Sequence, residues 1–215
     1  MTRVPGADEQ RLKTWRKLQK REWQHYRQKG PKGVFSHSGH KIAVAFGKFV
    51  GNRVGRGQRL LDIGCGCLEL PAYLAPAHWS GVEIVGLDPF DGDRDRLFEF
   101  RQGMAEDLPF GDGEFNAVVM ASTVDHFVAP KRAMQEAARV LKPGGLLLVW
   151  YARRWGPKYR RWLENPLSLY NTMHQWAFSD AAMKALVRSA GFGHVAIQRR
   201  GGPKNRFLEA WKGER

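Results

Sequence analysis

The sequence predicts an α/β fold in which helices cover both faces of a mostly parallel sheet, and three observations indicate it. After residue 57, short runs that are apolar throughout alternate with longer segments of helical periodicity. Strands that are apolar on both faces are typical of a parallel sheet that is buried on both sides. A glycine turn, residues 62–66, follows the first of these strands. Because such turns bind nucleotide cofactors in doubly wound folds, we predict a Rossmann-like, doubly wound domain.

The chain before this domain predicts a helical extension. Residues 10–28 place apolar side chains at helical spacing among many charges, and the Gly30-Pro31 pair ends the run. A second helix is predicted over residues 42–50, and a loop then leads to the first strand. We expect residues 1–56 to form an N-terminal helical extension and cap, and residues 57–215 to form the main domain.

Within the main domain, strands and helices alternate. The predicted strands are residues 59–63, 82–87, 115–121, 146–151, 194–198 and 207–211. The predicted helices are residues 68–75, 93–98, 130–141 and 179–187. Ser179 can cap the last helix, and the Lys-Pro-Gly-Gly segment at residues 142–145 stops the helix before it. We expect an aromatic and basic insertion at about residues 151–178.

The composition limits the classes of partner. The net charge of +14 favours polyanions or anionic small molecules, although a solvated charged surface would also explain it. No run approaches the roughly 20 apolar residues of a membrane span, and the basic N-terminus lacks a signal-peptide core, so we expect a cytoplasmic protein. Cys65 and Cys67 lie too close together for an unstrained disulfide and lack further ligands, so no metal site is predicted.

Four segments in a fixed order carry a resemblance to a known family. They are Asp-Ile-Gly-Cys-Gly at residues 62–66, Gly-Leu-Asp-Pro at 86–89, Leu-Pro-Phe at 108–110 ahead of an apolar strand, and Arg-Val-Leu-Lys-Pro-Gly-Gly at 139–145. Together they resemble class I S-adenosylmethionine-dependent methyltransferases, in the methyltransferase type 11-like group that includes small-molecule methyltransferases. The resemblance covers residues 58–150 strongly and residues 170–211 loosely.

This resemblance implies a seven-stranded sheet, methyltransferase activity and S-adenosylmethionine as the cofactor. The glycine turn would meet the carboxylate end of the cofactor, Asp62 would organise the turn or face the ammonium group, and Asp88 would accept bonds from the ribose hydroxyls. The implied cofactor-binding residues are Asp62, Gly64, Cys65, Gly66, Asp88, Pro89, Met104, Ala105, Glu106, Ala121 and Ser122.

The sequence departs from the family pattern at two positions. Leu68 stands where a third glycine is common, and Met104 stands where the family often has an acid for the adenine amino group. Met104 can pack on the adenine ring, and Glu106, Asp107 or backbone groups can take over the hydrogen bond. A dehydrogenase is disfavoured because its fingerprint requires a glycine at the position of Glu69.

Candidate catalytic and acceptor residues lie beyond the strand ends. His126, with Asp125 beside it, is suited to take a proton from an alcohol acceptor, although a helix-start packing role explains His126 as well. His174, Trp176 and Tyr151 are the predicted acceptor-binding residues, from a segment whose aromatic side chains ordinary packing would also explain. A further suggestion is that His37 and His40 close over the cofactor from the N-terminal side.

Three functions remain open from the sequence. The first is methyl transfer to an oxygen or nitrogen of a small acceptor that is anionic or sugar-like. The second is an RNA or DNA methyltransferase, because the basic N-terminal helix carries Trp15, Trp23 and Tyr26. The third is a cofactor-binding subunit without catalytic activity, suggested by Leu68 and Met104. The sequence does not determine the acceptor or the oligomeric state.

Overall fold

A computed structural model describes residues 9–29, 38–90, 95–153 and 174–213 of the 215-residue chain. Several predicted features lie outside these residues. They are His37, most of the aromatic and basic insertion, and the start of the helix predicted at residues 93–98. Four aromatic side chains of the insertion are therefore also outside the described residues: Trp155, Tyr159, Trp162 and Tyr170.

A seven-stranded sheet forms the centre of the protein, in the order β3-β2-β1-β4-β5-β7-β6. The strands are β1 (Arg59–Ile63), β2 (Glu83–Asp88), β3 (Glu99–Gln102), β4 (Phe115–Ala121), β5 (Leu141–Ala152), β6 (Phe192–Arg199) and β7 (Asn205–Lys212). Neighbours from β3 to β5 pair in parallel, whereas β7 is antiparallel to both β5 and β6. The predicted mostly parallel, seven-stranded α/β fold is confirmed.

Five α-helices accompany the sheet in the described residues. They are α1 (Glu9–Lys29), α2 (Lys41–Gly51), α3 (Ala75–Trp79), α4 (Pro130–Val140) and α5 (Asp180–Ser189). The two N-terminal helices and α4 confirm the predictions, and Ser179 caps α5 by accepting the N–H of Ala182 at 3.1 Å. None of the described helices combines the length and apolar character that crossing a bilayer requires.

Two local predictions are wrong. Residues 68–74 are turns, and the helix in this region is the short α3. Pro71 explains the difference, because a proline in a helix interior removes a backbone donor and clashes with the preceding turn. In the second case, residues 95–98 are not helical and lead into the unpredicted strand β3. Its sequence, Glu-Phe-Arg-Gln, is mostly polar and exposed, as is common for an edge strand, so it has no apolar signature.

Two apolar clusters lie on opposite faces of the sheet and hold it in place. Alternate strand residues divide between them: Leu61 and Ile63 join the cluster that contains α4 and α5, whereas Leu60 joins the cluster that contains α2 and α3. A third, small cluster joins α1 to the main domain through Leu12 and Trp15. The carboxyl ends of the parallel strands are therefore held at one edge of the sheet, beneath α1.

Candidate active site

A cavity of about 430 Å³ lies at the carboxyl ends of β1, β2 and β4. This is the edge at which doubly wound sheets bind their ligands. The structure brings nearly all of the predicted cofactor-binding residues together in its lining. Those that line it are Gly64, Cys65, Gly66, Asp88, Pro89, Met104, Ala105, Glu106, Ala121 and Ser122. Asp62 lies buried directly beneath this lining, at the end of β1.

The glycine turn is tied to the end of β2 by its own backbone. The N–H groups of Gly64 and Cys65 both donate to the carbonyl of Leu87, at 2.7 and 3.2 Å, and the N–H of Gly66 donates to Asp88 Oδ2 at 3.0 Å. Gly64 has φ +81° and Gly66 has φ +69°, a region that favours glycine. These three N–H groups are thus engaged within the protein: two hold the turn against the end of β2, and that of Gly66 holds Asp88 at the cavity wall.

Asp62 is a buried carboxyl group that is only half satisfied. Its Oδ2 accepts a hydrogen bond from the hydroxyl of Tyr73 at 2.8 Å, while its Oδ1 accepts none from the part of the chain that the structure describes. Burial raises the pKa of Asp62 to about 7, with a smaller contribution from the neighbouring Asp88 and an opposing one from Tyr73. A buried carboxylate oxygen without a donor suits a cationic ligand group.

Asp88 presents its carboxylate to the cavity at the end of β2. Besides the bond from Gly66, its Oδ1 accepts the N–H of Phe90 at 3.0 Å. Burial raises the pKa of Asp88 to about 6, although the two backbone N–H groups oppose the rise. Both oxygens have lone pairs beyond these bonds, so the carboxylate can still accept hydrogen bonds from ligand hydroxyls.

Glu106 and Met104 have contacts within the protein as well as a place in the cavity lining. Glu106 Oε1 accepts the N–H groups of Val128 and Ala129, at 2.8 and 3.0 Å, and thereby holds the chain at the start of α4. Met104 is buried in the small cluster with Leu12, Trp15 and Val128. Asp107, the other acid considered for adenine, is exposed and does not line the cavity.

The end of β4 contributes an unusual backbone conformation. Ser122 has φ +57°. Among the described residues, it is the only residue other than glycine in the left-handed region. Its N–H donates to the carbonyl of Trp150 at 2.7 Å, which ties the ends of β4 and β5 together. Such conformations cost about 1–3 kcal/mol and cluster at ligand sites, which agrees with its position in the cavity lining.

Helix α1 covers the cavity, and the sequence, which predicted an N-terminal cap, did not identify which of its residues face the cavity. Trp15, Gln19 and Trp23 recur every four residues and all line the cavity. The indole of Trp15 stacks on Phe90, with ring centroids 6.4 Å apart, and its N–H donates to the carbonyl of His126. The signal was present as a helical stripe of aromatic residues, but a stripe does not identify the surface it will cover.

An acid and two imidazoles meet at one end of the cavity. Asp125 Oδ2 lies 2.8 Å from Nδ1 of His174, and Asp125 Oδ1 lies 3.7 Å from Nε2 of His126. The two imidazole rings are in edge contact, with centroids 4.7 Å apart, and Nδ1 of His126 lies 3.3 Å from Gln19 Oε1 of α1. The structure thus joins the two predicted catalytic residues with one predicted acceptor residue. We call this group the Asp-His-His cluster.

The other predicted acceptor residues lie away from the cavity lining. Tyr151 is buried, and its hydroxyl donates to Asp180 at 2.9 Å, which with burial raises its pKa. Trp176 packs at the edge of the core and donates its indole N–H to the carbonyl of Phe127 at 2.7 Å. His40 stands beside Trp150 but does not line the cavity. Among these described candidates, only His174 lines the cavity.

Comparisons with known proteins agree with this geometry. The sequence model of a family described as "Methyltransferase domain" matches residues 61–149. An uncharacterized methyltransferase of Synechocystis is 35% identical in an alignment of 150 residues that covers 63% of this chain and 67% of that protein. A fatty-acid O-methyltransferase of Mycolicibacterium smegmatis is 37% identical over 48% of this chain and 39% of that protein.

A solved structure extends the similarity to the fold. It is a crystal structure from Thermotoga maritima of an S-adenosylmethionine-dependent methyltransferase, a possible histamine N-methyltransferase. It has a TM-score of 0.59 and 23% identity, and the match covers 79% of this chain and 88% of that one. The matched part of the chain spans about two thirds of the cyanobacterial relative and two fifths of the mycobacterial one.

Proposed function

This chain belongs to the class I S-adenosylmethionine-dependent methyltransferases, and from that premise we propose that it methylates an oxygen or nitrogen atom of a small acceptor held between α1 and the Asp-His-His cluster. The observation that carries the proposal is the position of the two imidazoles of this cluster, His126 and His174, in the lining of the same cavity as the glycine turn and Asp88. A cofactor and an acceptor bound in this cavity would be adjacent, as direct methyl transfer requires.

S-adenosylmethionine is the cofactor, and the residues present fit it. We propose that Asp62, whose buried Oδ1 accepts no hydrogen bond from the described residues, faces the cofactor's ammonium group, and that Asp88 accepts bonds from the ribose hydroxyls. Gly66 supports this fit, because a Cβ added there meets open space rather than protein atoms. When bound, S-adenosylmethionine supplies a methyl group activated by a sulfonium centre.

The chain's own residues would hold the acceptor and receive its proton. The indoles of Trp15 and Trp23 cover the cavity and exclude water from it, which favours displacement by the acceptor over side reactions. An imidazole of the Asp-His-His cluster can accept a hydrogen bond from an acceptor hydroxyl and take the proton as the new carbon–oxygen bond forms. Asp125 is hydrogen-bonded to His174. It would orient the imidazole of His174 and offset the positive charge that this ring gains with the proton.

The cavity lining favours a sugar-like acceptor over an anionic one. None of the described side chains in the lining is a lysine or arginine, so an anion would find no guanidinium or ammonium partner there. Indole faces, the amides of Gln19 and Asn205 and two imidazoles are suited instead to an acceptor with several hydroxyl groups. We therefore propose a neutral, hydroxyl-bearing small molecule as the acceptor.

A nucleic-acid acceptor receives less support. Two of the three aromatic residues that motivated this alternative face the protein, because Trp15 is 4% exposed and Trp23 lines the cavity. The side chain of Tyr26 lies outside the described part of the chain. Single-stranded nucleic acid is held by exposed aromatic side chains interleaved with basic ones. The described outward face of α1 has the basic residues without those two indoles, so the small-molecule proposal is preferred.

Transfer of a labelled methyl group to a panel of acceptors tests the proposal. We expect incorporation into a hydroxyl-bearing small molecule and none into RNA or DNA. Asp125→Asn and His126→Gln should each lower kcat by about 10²–10⁴-fold with little change in cofactor affinity, since general acid–base groups contribute that much. His194→Gln is the matched control, because His194 is exposed on β6 and outside the cavity. Label in nucleic acid, or unchanged kcat in both cluster variants, would overturn the proposal.

A further inference from the structure

We infer that Asp125, His126 and His174 form a binding site for one divalent transition-metal ion, open on its cavity side to an acceptor oxygen. Each residue offers one ligand atom, and the three atoms all lie within 4.8 Å of one another. This inference goes beyond the proposed function, since it concerns what the cluster binds before any acceptor arrives. It also departs from the sequence prediction, which contained no metal site.

The distances suit a small contraction onto a metal ion. Ligands 2.0–2.2 Å from a tetrahedral ion stand about 3.4 Å from one another. Two separations in the cluster, 2.8 Å from Asp125 Oδ2 to His174 Nδ1 and 3.7 Å from Asp125 Oδ1 to His126 Nε2, already bracket that value. Rotations of partly exposed side chains would close the rest, because the side chains of His126 and His174 are 19% and 32% exposed.

The orientation of His126 supports coordination through Nε2. Its other ring nitrogen, Nδ1, lies 3.3 Å from Gln19 Oε1, and a metal-bound histidine usually donates that second N–H to an oxygen in this way. With the proton on Nδ1, Nε2 is the nitrogen that carries the lone pair, and it lies 3.7 Å from Asp125 Oδ1. Two electron-rich groups at this separation favour a cation between them. Helix α1 would therefore stabilise the site through Gln19.

The ligand set indicates the class of metal. Two imidazole nitrogens and one carboxylate oxygen suit Zn²⁺, Co²⁺, Fe²⁺ or Mn²⁺ rather than the all-oxygen sites of Mg²⁺ and Ca²⁺. Three protein ligands leave at least one coordination position, and His126 and His174 line the cavity. An acceptor hydroxyl bound at that position would lose its proton more readily, since the ion stabilises the alkoxide. The proton would pass to solvent, because both imidazole lone pairs are then directed at the ion.

Cobalt binding to the full chain tests the inference. Metal-free protein is titrated with Co²⁺ alone, followed by calorimetry and by visible absorption. We expect one ion per chain, with weak d–d bands and no intense sulfur-to-metal band, which would instead indicate Cys65 or Cys67. His126→Gln, His174→Gln and Asp125→Asn should each weaken binding by at least tenfold, and Gln19→Leu should weaken it less. His194→Gln should bind as the parent does.

The outcomes separate this inference from the proposed function. Absence of Co²⁺ binding or a sulfur-to-metal band would overturn the metal site. So would a Co²⁺ affinity equal to that of the parent in those of the three ligand variants that still melt cooperatively. Asp125→Glu gives a second measurement, because it keeps a carboxylate ligand and should retain more affinity than Asp125→Asn. Methyl transfer to a small acceptor in excess chelator, together with no Co²⁺ binding, would refute the metal site and leave the proposed function standing. Specific Co²⁺ binding without any methylated small acceptor would support the metal site and refute the proposed function.

Discussion

Cofactor affinity should fall as the pH falls from 7 to 5, because in the proposed function Asp88 accepts two ribose hydroxyls, and its ionised form is the better acceptor. The pKa of this carboxyl is raised to about 6, chiefly by burial. The ionised fraction is then about 10/11 at pH 7 and about 1/11 at pH 5. If only the ionised form binds well, the Kd rises about tenfold, which corresponds to about 1.4 kcal/mol. Asp62, with a pKa of about 7, would add to this slope if it meets the ammonium group.

Calorimetric titration with S-adenosylhomocysteine at several pH values measures the effect. Asp88→Asn is the matched variant, since it keeps the shape but does not titrate. It should bind about 10–100-fold more weakly at pH 7, because hydrogen bonds to a charged group are worth about 1.5–3 kcal/mol, and its pH dependence should be correspondingly flatter. Any titration of the ligand itself is common to both proteins and cancels in the comparison.

Protein stability should change in the opposite direction, which separates the two effects. Both carboxyls have folded-state pKa values above 3.8, so the folded state binds their protons more tightly than the unfolded state. Their stabilising contribution is fully present below pH 3.8 and is lost as the pH rises through about 6 to 7. These two carboxyl groups should therefore cause no fall in the melting temperature of the unliganded protein between pH 7 and pH 5. A Kd that stays within twofold between pH 7 and 5, or an Asp88→Asn variant with the full parental slope, would refute the reasoning.

Three further predictions concern the walls of the cavity. Gly64→Ala should destabilise the fold severely, because its Cβ would lie 2.3 Å from Thr123 Oγ1. Gly66→Ala has open space at its Cβ and should lower the free energy of unfolding only by the roughly 1–2 kcal/mol of a left-handed backbone. Equal melting temperatures of the two variants would contradict this. Trp15→Ala should loosen α1 by about 3 kcal/mol or more, seen as faster hydrogen exchange of the α1 amides, and unchanged exchange would show that the indole does not anchor the helix. Glu106→Ala should lower the free energy of unfolding by about 2–5 kcal/mol, because two backbone N–H groups lose their acceptor. Glu106→Gln retains an acceptor and should keep most of the stability. A urea titration in which both variants match the parent would argue against this role of Glu106.

The sequence was sufficient for the elements whose signals are local. The strand over Arg59–Ile63, the strand over Phe115–Ala121 and the cap at Ser179 were all predicted, because apolar runs and capping side chains act on their own neighbours. Local reading failed at Pro71, where an apolar periodic run conceals a helix breaker, and at β3, whose polar edge position removes the usual signature.

The cofactor side of the cavity followed from the sequence for a related reason. Asp88 and the glycine turn each end a strand, and parallel strands bring their carboxyl ends to one edge of the sheet. The sequence could not indicate that the N–H of Gly66 donates a hydrogen bond to the carboxylate of Asp88. That bond joins residues 22 positions apart in the chain, and it depends on the register between β1 and β2.

By itself, the sequence determined the α/β fold, the methyltransferase family and the edge of the sheet at which the cavity lies. Only the tertiary structure decided which side chains line the cavity opposite the glycine turn. Asp125 and His174 are 49 positions apart, Gln19 reaches His126 across 107, and no spacing rule connects residues at such separations. Strand ends and caps are set by neighbouring residues, whereas the Asp-His-His cluster and its α1 cover arise from packing between distant segments, which becomes definite only when the whole chain has folded.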